Sequence, residues 1–98
     1  MKESDFQKNL IDKIKDKFPG CMVLKNDPNY IQGIPDLTIF YKDRWATLEV
    51  KKSEKAYKAS DNKNQHYYVG KMNEMSFSRF VYPENEKEVL DDLEQSFS

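Results

Sequence analysis

Gly33-Ile34-Pro35-Asp36-Leu37-Thr38-Ile39-Phe40-Tyr41, a turn at Lys42-Asp43-Arg44, then Trp45-Ala46-Thr47-Leu48-Glu49-Val50-Lys51 is the stretch that decides the fold. Residues two apart in a strand share a face. Leu37, Ile39 and Tyr41 therefore line one side of a strand over 36–41. Ala46, Leu48 and Val50 line the matching side of a strand over 45–51, and that face is expected in the core. Trp45, Thr47, Glu49 and Lys51 take the other face. Three turn residues between the runs predict a hairpin. Glu49 and Lys51 then project to one side, about 7 Å apart along the strand. Asp36 opens the preceding strand 13 residues earlier.

Working outward, Phe6, Leu10, Ile11, Ile14 and Phe18 recur every three to four residues and predict a helix over 4–18. Ser4 and Gln7 fit a capping box at its start, and Pro19-Gly20 ends it. Residues 21–26 read as a strand, followed by a turn at Asp27-Pro28-Asn29 and a loop to Gly33. Residues 52–60 are polar and lysine-rich and are expected to form a mobile connection. A helix over 61–75 offers Tyr68, Val69, Met72 and Met75 as core positions. Residues 77–82 form a last strand, ended by Pro83. A helix over 84–95 docks through Val89, Leu90 and Leu93, its acidic first turn suiting the positive end of the helix dipole. The order is αβββαβα, one α/β domain over residues 1–98.

Composition sets limits. The chain has 98 residues, of which 38% are hydrophobic, enough for one modest core. One cysteine, Cys21, excludes an intrachain disulfide and a multi-cysteine zinc site. The single histidine, His66, cannot build a histidine-based zinc site alone, and a surface or packing role is its expected use. No apolar run is long enough to span a membrane and no signal peptide is visible, so an intracellular, cytoplasmic protein is expected. The formal charge is −1, but it is unevenly spread. Residues 83–98 hold six acids and one base, leaving 15 bases and 11 acids in residues 1–82. A body at +4 with a tail at −5 permits a phosphate-binding face.

Two carboxylates and a lysine meeting at neighbouring strands suit a hard divalent cation and an activated water. Asp36 and Glu49 are the oxygen donors, with the Val50 carbonyl as a further one. Lys51 orients the water or stabilises developing negative charge. Taken singly, Glu49 and Lys51 fit a solvated strand face better than a metal site, since exposed glutamate and lysine are common. As a set, Pro35-Asp36, the hairpin and Glu49-Val50-Lys51 resemble the core of PD-(D/E)xK nucleases. The finer pattern, Gly33-Ile34-Pro35-Asp36-Leu37, Leu48-Glu49-Val50-Lys51 and Gln65 on the next helix, resembles the VRR-NUC branch, as does Glu3 with Phe6-Gln7.

That resemblance implies a restriction-endonuclease-like αβββαβ core, a mixed four-stranded sheet flanked by helices, with an extra C-terminal helix. It implies a Mg²⁺- or Mn²⁺-dependent endodeoxyribonuclease, with Gln65 supporting the site and Glu3 helping to hold the metal. Small stand-alone VRR-NUC domains resemble Holliday-junction resolvases of phage or bacterial type, which implies branched DNA as substrate and a homodimer. Apolar residues of the last helix and strand are the candidates for its interface. Lys52, Lys55, Lys58 and Tyr30 are candidate nucleic-acid contacts. Tyr57, Tyr67 and Tyr68 are expected to pack rather than to stack on bases. Two alternatives remain open: a nicking, flap or nonspecific DNA nuclease, and a non-catalytic nucleic-acid-binding protein on a nuclease fold.

Overall fold

Proline before Asp36, β-branched and aromatic alternation after it, and a tight turn at Lys42-Asp43 place two long strands side by side. The computed structural model, which describes residues 2–98, bears this out. The elements are α1 (Glu3–Lys17), β1 (Met22–Lys25), β2 (Leu37–Tyr41), β3 (Arg44–Val50), α2 (Glu54–Ala59), α3 (Lys63–Met75), β4 (Phe77–Val81) and α4 (Glu86–Phe97). The four strands form one mixed sheet in the order β1-β2-β3-β4. The first two pairings are antiparallel, with Leu37 opposite Leu48 and Val23 opposite Ile39. The third is parallel, with Glu49 opposite Phe80. Parallel neighbours need a long crossover, and α2 with α3 supply it. The chain is thus α/β, a four-stranded mixed sheet flanked by helices.

The core lies on the face carrying Leu37, Ile39, Ala46, Leu48, Val50, Phe77 and Val81. Phe6, Leu10 and Ile14 of α1 and Val89, Leu90, Leu93 and Phe97 of α4 close over it. A Lys13–Glu86 ion pair of 2.6 Å ties the two helices together.

Several local expectations are corrected. Helix α1 starts at Glu3, so Ser4 is inside it. Lys2 stands at the cap position without a side-chain hydrogen bond. Glu3 and Asp5 in the first turn complement the helix dipole instead. The 52–60 connection is an ordered helix, α2, because Ser53 caps it by accepting the Ala56 N–H at 3.0 Å. It buries no residue fully; Tyr57 holds it by stacking on Tyr82 and packing on Phe80. On α3 only Val69 is fully buried, and Met75 is exposed. The second face of β3 is not solvated either. Because α3 lies across it, Thr47 and Glu49 are buried. The Thr47 hydroxyl donates to the Ser78 Oγ at 2.7 Å.

The two edges of the sheet differ. On β4 the outward groups are the N–H and carbonyl of Ser78 and Phe80 and the Tyr82 N–H, and Arg79 donates to the Ser78 carbonyl at 2.9 Å. Asn73 Oδ1 accepts the Ser78 N–H at 3.2 Å. Asn85 accepts the Tyr82 N–H at 2.8 Å and donates to the Phe80 carbonyl at 3.1 Å. Two asparagine side chains thus occupy three of the positions a fifth strand would use, leaving the Phe80 N–H as the one outward group without a protein partner. The last helix and strand are therefore poor candidates for an interface, since their apolar side chains are spent in the core and the β4 edge is capped.

Asn85→Ala removes both bonds and leaves the strand groups to water. A loss of about 1–3 kcal/mol is expected, read as a lower urea midpoint at unchanged slope. An unchanged midpoint would show that the cap contributes nothing.

Candidate active site

Asp36 sits where β1, β2 and β3 end together, and Asn26 fixes it there. The Asn26 N–H donates to the Asp36 carbonyl at 2.8 Å. Its side-chain amide donates to the Pro35 carbonyl at 2.9 Å and to the Thr38 Oγ1 at 2.7 Å. These bonds bracket Asp36 on both sides. Asp36 Oδ2 in turn accepts the Val50 N–H at 2.8 Å, which lays the carboxylate against the end of β3. Alternation turns the Val50 carbonyl to the same side of β3.

Glu49 precedes Val50 and points to the opposite face, beneath α3. It is 3% exposed, and its Oε1 has no hydrogen-bond partner. Burial pushes its carboxyl up to about 8, and the neighbouring Asp36 charge, with which it shares a hydrogen bond, adds to the rise. Lys51 offsets this in part, and Glu3 adds a smaller unfavourable charge. A lone buried carboxylate is costly. Here the cost falls beside a second carboxylate, the arrangement that a proton or a cation relieves.

Lys51 leaves β3 on the same face as Glu49, and its Nζ donates to Gln65 Oε1 at 2.7 Å. Gln65 lies in the first turn of α3, whose start is capped by Asn62 Oδ1 accepting the Gln65 N–H at 3.2 Å. The same turn presses on the loop before Asp36. Gly33 has φ +87, and a Cβ there would clash with the Asn64 side chain and stand 2.7 Å from its carbonyl carbon and 2.9 Å from the Gln65 nitrogen. Only glycine allows both the left-handed backbone and this approach. The loop that delivers Asp36 and the helix that delivers Gln65 are thereby locked together.

Asp36, Glu49, Lys51 and Gln65 come together as the sequence reading expects. Glu3, on the first turn of α1, faces the same place. Its carboxyl is raised by burial and then by the Asp36 charge, while Lys51 and Lys52 pull it down. No group of three or more His, Cys, Asp and Glu side chains converges tightly enough to hold an ion among the described residues. Glu3 thus faces Asp36 and Lys51 at the margin of the site. Lys52 joins it there. Lys55 is exposed on α2, and Lys58 pairs with Glu54 at 3.6 Å. Tyr30 is 85% exposed in the loop after β1, and its N–H is used in a turn with Asp27. It makes no contact that places it at the site. His66 packs 4.8 Å from Phe80, ring to ring. Tyr57 packs as expected, and Tyr67 lies edge-on to Tyr68.

Asn26 and Asn62 were not singled out as site supports. The Asn26 role has no sequence signal, since an asparagine before Asp27-Pro28 reads as turn chemistry. Asn62, three before Gln65, carries the N-cap signature. Surface cavities of about 240 Å³, beside Phe18, Tyr41 and Phe97, and about 430 Å³, beside His66 and Gly70, lie away from the carboxylates.

The donor chemistry fits a small hard cation. Asp36, Glu49 with its unpartnered oxygen, and the Val50 carbonyl offer oxygen ligands, and Mg²⁺ keeps several waters and needs few protein ligands. Compared with known proteins, the chain matches no protein-family model, no curated protein and no solved structure.

Two outcomes test this geometry. Glu49 binds a proton more tightly when folded than its ordinary value of 4.5 allows, so its favourable contribution is lost as pH rises from about 4.5 through about 8. In EDTA, stability should fall over that interval by roughly 2–4 kcal/mol, allowing for partial solvent access. Glu49→Gln should flatten the fall; parallel urea profiles for the two proteins would refute it. Gly33→Ala should cost more than 1–3 kcal/mol, the range for a strained backbone alone, because it also separates Asp36 from Gln65. A midpoint within error of the parent would show that the loop yields without consequence.

Proposed function

We propose that the chain is a divalent-metal-dependent, structure-selective DNA endonuclease of PD-(D/E)xK type, with a restriction-endonuclease-like core and VRR-NUC-like site. The observation that carries this reading is Glu49: a buried carboxylate with one oxygen unpartnered, beside Asp36 and two residues from a lysine held by Gln65. As a fold-stabilising element this arrangement is unfavourable. As a cation site it is sensible.

Asp36, Glu49 and the Val50 carbonyl would hold Mg²⁺ or Mn²⁺, which when bound supplies Lewis-acid polarisation of a phosphate and a lowered pKa for water. The residues' own contributions follow from their positions. The Val50 N–H holds the Asp36 carboxylate in one orientation. Glu49 must release its proton to act as a ligand, so cation affinity rises with pH up to about 8. Lys51, steered by Gln65, sets a positive charge where a phosphorane-like transition state gathers negative charge. Lys52 borders the site beside Glu3, and exposed Lys55 on α2 is a further candidate for a neighbouring phosphate.

The substrate class is branched DNA, as for Holliday-junction resolvases. The domain has little surface for reading base edges, and backbone contacts report shape rather than sequence. A junction cut symmetrically needs two sites, hence two copies. An intracellular location follows from such a substrate; no helix among the described residues is long and apolar enough to cross a membrane. The binding-only reading leaves the burial of Glu49 without a return.

The test is cleavage of a labelled four-way junction beside a matched duplex in Mg²⁺, Mn²⁺, Ca²⁺ and EDTA. Junction-selective cuts are expected in Mg²⁺ or Mn²⁺ and essentially none in EDTA. Asp36→Asn and Glu49→Gln should lower the rate at least about a thousandfold, or 4 kcal/mol of barrier, with DNA affinity little changed. Lys51→Ala should lower turnover more than affinity, and Gln65→Ala should follow it to a smaller extent. Equal cutting of both substrates would discard junction selectivity. Parent-like rates in the carboxylate variants would discard the site.

A further inference from the structure

The asymmetry of the sheet edges points to what covers the open one. On β1 the Asn26 N–H bonds back to β2, so Met22, Leu24 and Asn26 are the residues paired with that strand. Alternation turns the N–H and C=O of Val23 and Lys25 outward. β1 ends the sheet, and no other segment of the described chain takes those groups. On the face that α3 lies across, but at its β1–β2 side, Met22 is 61% exposed, Leu24 41% and Phe40 44%. Ile11 of α1 and Val23 are half-buried on the other face. One edge of the sheet is therefore capped by two asparagines, and the other is unpaired and apolar on both flanks.

We infer that β1 pairs antiparallel with β1 of a second copy of this chain, across a two-fold axis at Val23. The register follows from the side chains. Pairing Val23 with its own copy satisfies the outward Val23 N–H and C=O as a mutual pair. It sets Met22 opposite the second copy's Leu24 on the exposed face, twice by symmetry, with each Phe40 flanking. Lys25, the only charge on β1, then lies opposite Cys21 rather than another lysine. Identical charges directly opposed would destabilise the pair.

Assembly stops at two copies. The joint eight-stranded sheet ends on β4 at both sides, and both ends carry the Asn73 and Asn85 caps. A self-complementary edge with capped far edges gives a closed dimer instead of a filament. The exposed apolar parts of Met22, Leu24 and Phe40 amount to roughly 300 Å² per copy, which with the strand pairing belongs to the small, weaker class of interface. Dissociation in the micromolar range is expected. The inference does not depend on the nuclease reading, and its test does not use cleavage.

Sedimentation velocity of the whole chain, without DNA, from about 1 to 200 µM is the first experiment. A monomer–dimer equilibrium is expected, with Leu24→Glu raising the dissociation constant at least tenfold while circular dichroism and urea midpoint stay near the parent. The register is checked in a Cys21→Ser background by mixing Met22→Cys and Leu24→Cys chains. Adjacent non-hydrogen-bonded positions bring Cα atoms to about 4.5 Å, within disulfide reach. The mixture should cross-link on mild oxidation, while each chain alone should not. A chain monomeric at the top concentration, whatever foreign strand it binds, overturns the inference. So does a dimer indifferent to Leu24→Glu, or a mixture that cross-links no better than its components.

Discussion

A single hydrogen bond organises the carboxylate end of the sheet: the Val50 N–H donating to Asp36 Oδ2 at 2.8 Å. It fixes Asp36 against β3, and that proximity helps raise Glu49 far above an ordinary carboxylate. The Asn26 bracket holds Asp36 from the far side, and the Gly33 contact with α3 limits how the preceding loop can move. Lys51 then finds Gln65 because α3 is pinned to that same loop. The site is a consequence of packing three strand ends and one helix start into a small volume. Each of its members leans on a neighbour that is itself hydrogen-bonded.

Much of this architecture is legible in the sequence. The two-residue alternation through Leu37, Ile39 and Tyr41 and through Ala46, Leu48 and Val50 announces the hairpin and its buried face. The spacing of Phe6, Leu10 and Ile14 does the same for α1. What alternation cannot reveal is the burial of the second face. Thr47 and Glu49 look solvated, because the helix that covers them lies beyond an intervening polar segment. That segment hides α2 as well: its one anchor, Tyr57, is a single aromatic among lysines and leaves no periodic stripe. The site residues themselves carry clear signals, since Asp36, Glu49 and Lys51 interrupt or border apolar runs. Their supports do not. Asn26, Asn73 and Asn85 act by capping groups distant in the chain or across a turn, and an asparagine in a turn advertises only the turn.

Mixed sheets expose two unlike edges, and this one treats them differently. Side-chain amides occupy three of the hydrogen-bonding positions beside β4, while β1 is short and apolar at its margin. The apolar stripe of α4, Val89, Leu90, Leu93 and Phe97, is consumed on the core face.

The order in which the chain is synthesised bears on Glu49. The meander β1-β2-β3 is complete once residue 50 has emerged, so the Asp36–Val50 contact joins neighbours only 14 positions apart. The cover over Glu49 comes later, from α3 and β4, and the core face closes only with residues 86–97. Before that cover forms, Glu49 is open to water. The raised affinity of Glu49 for a proton is therefore acquired late, with the docking of α3, and serves as an internal gauge of whether the second half of the molecule has closed over the first.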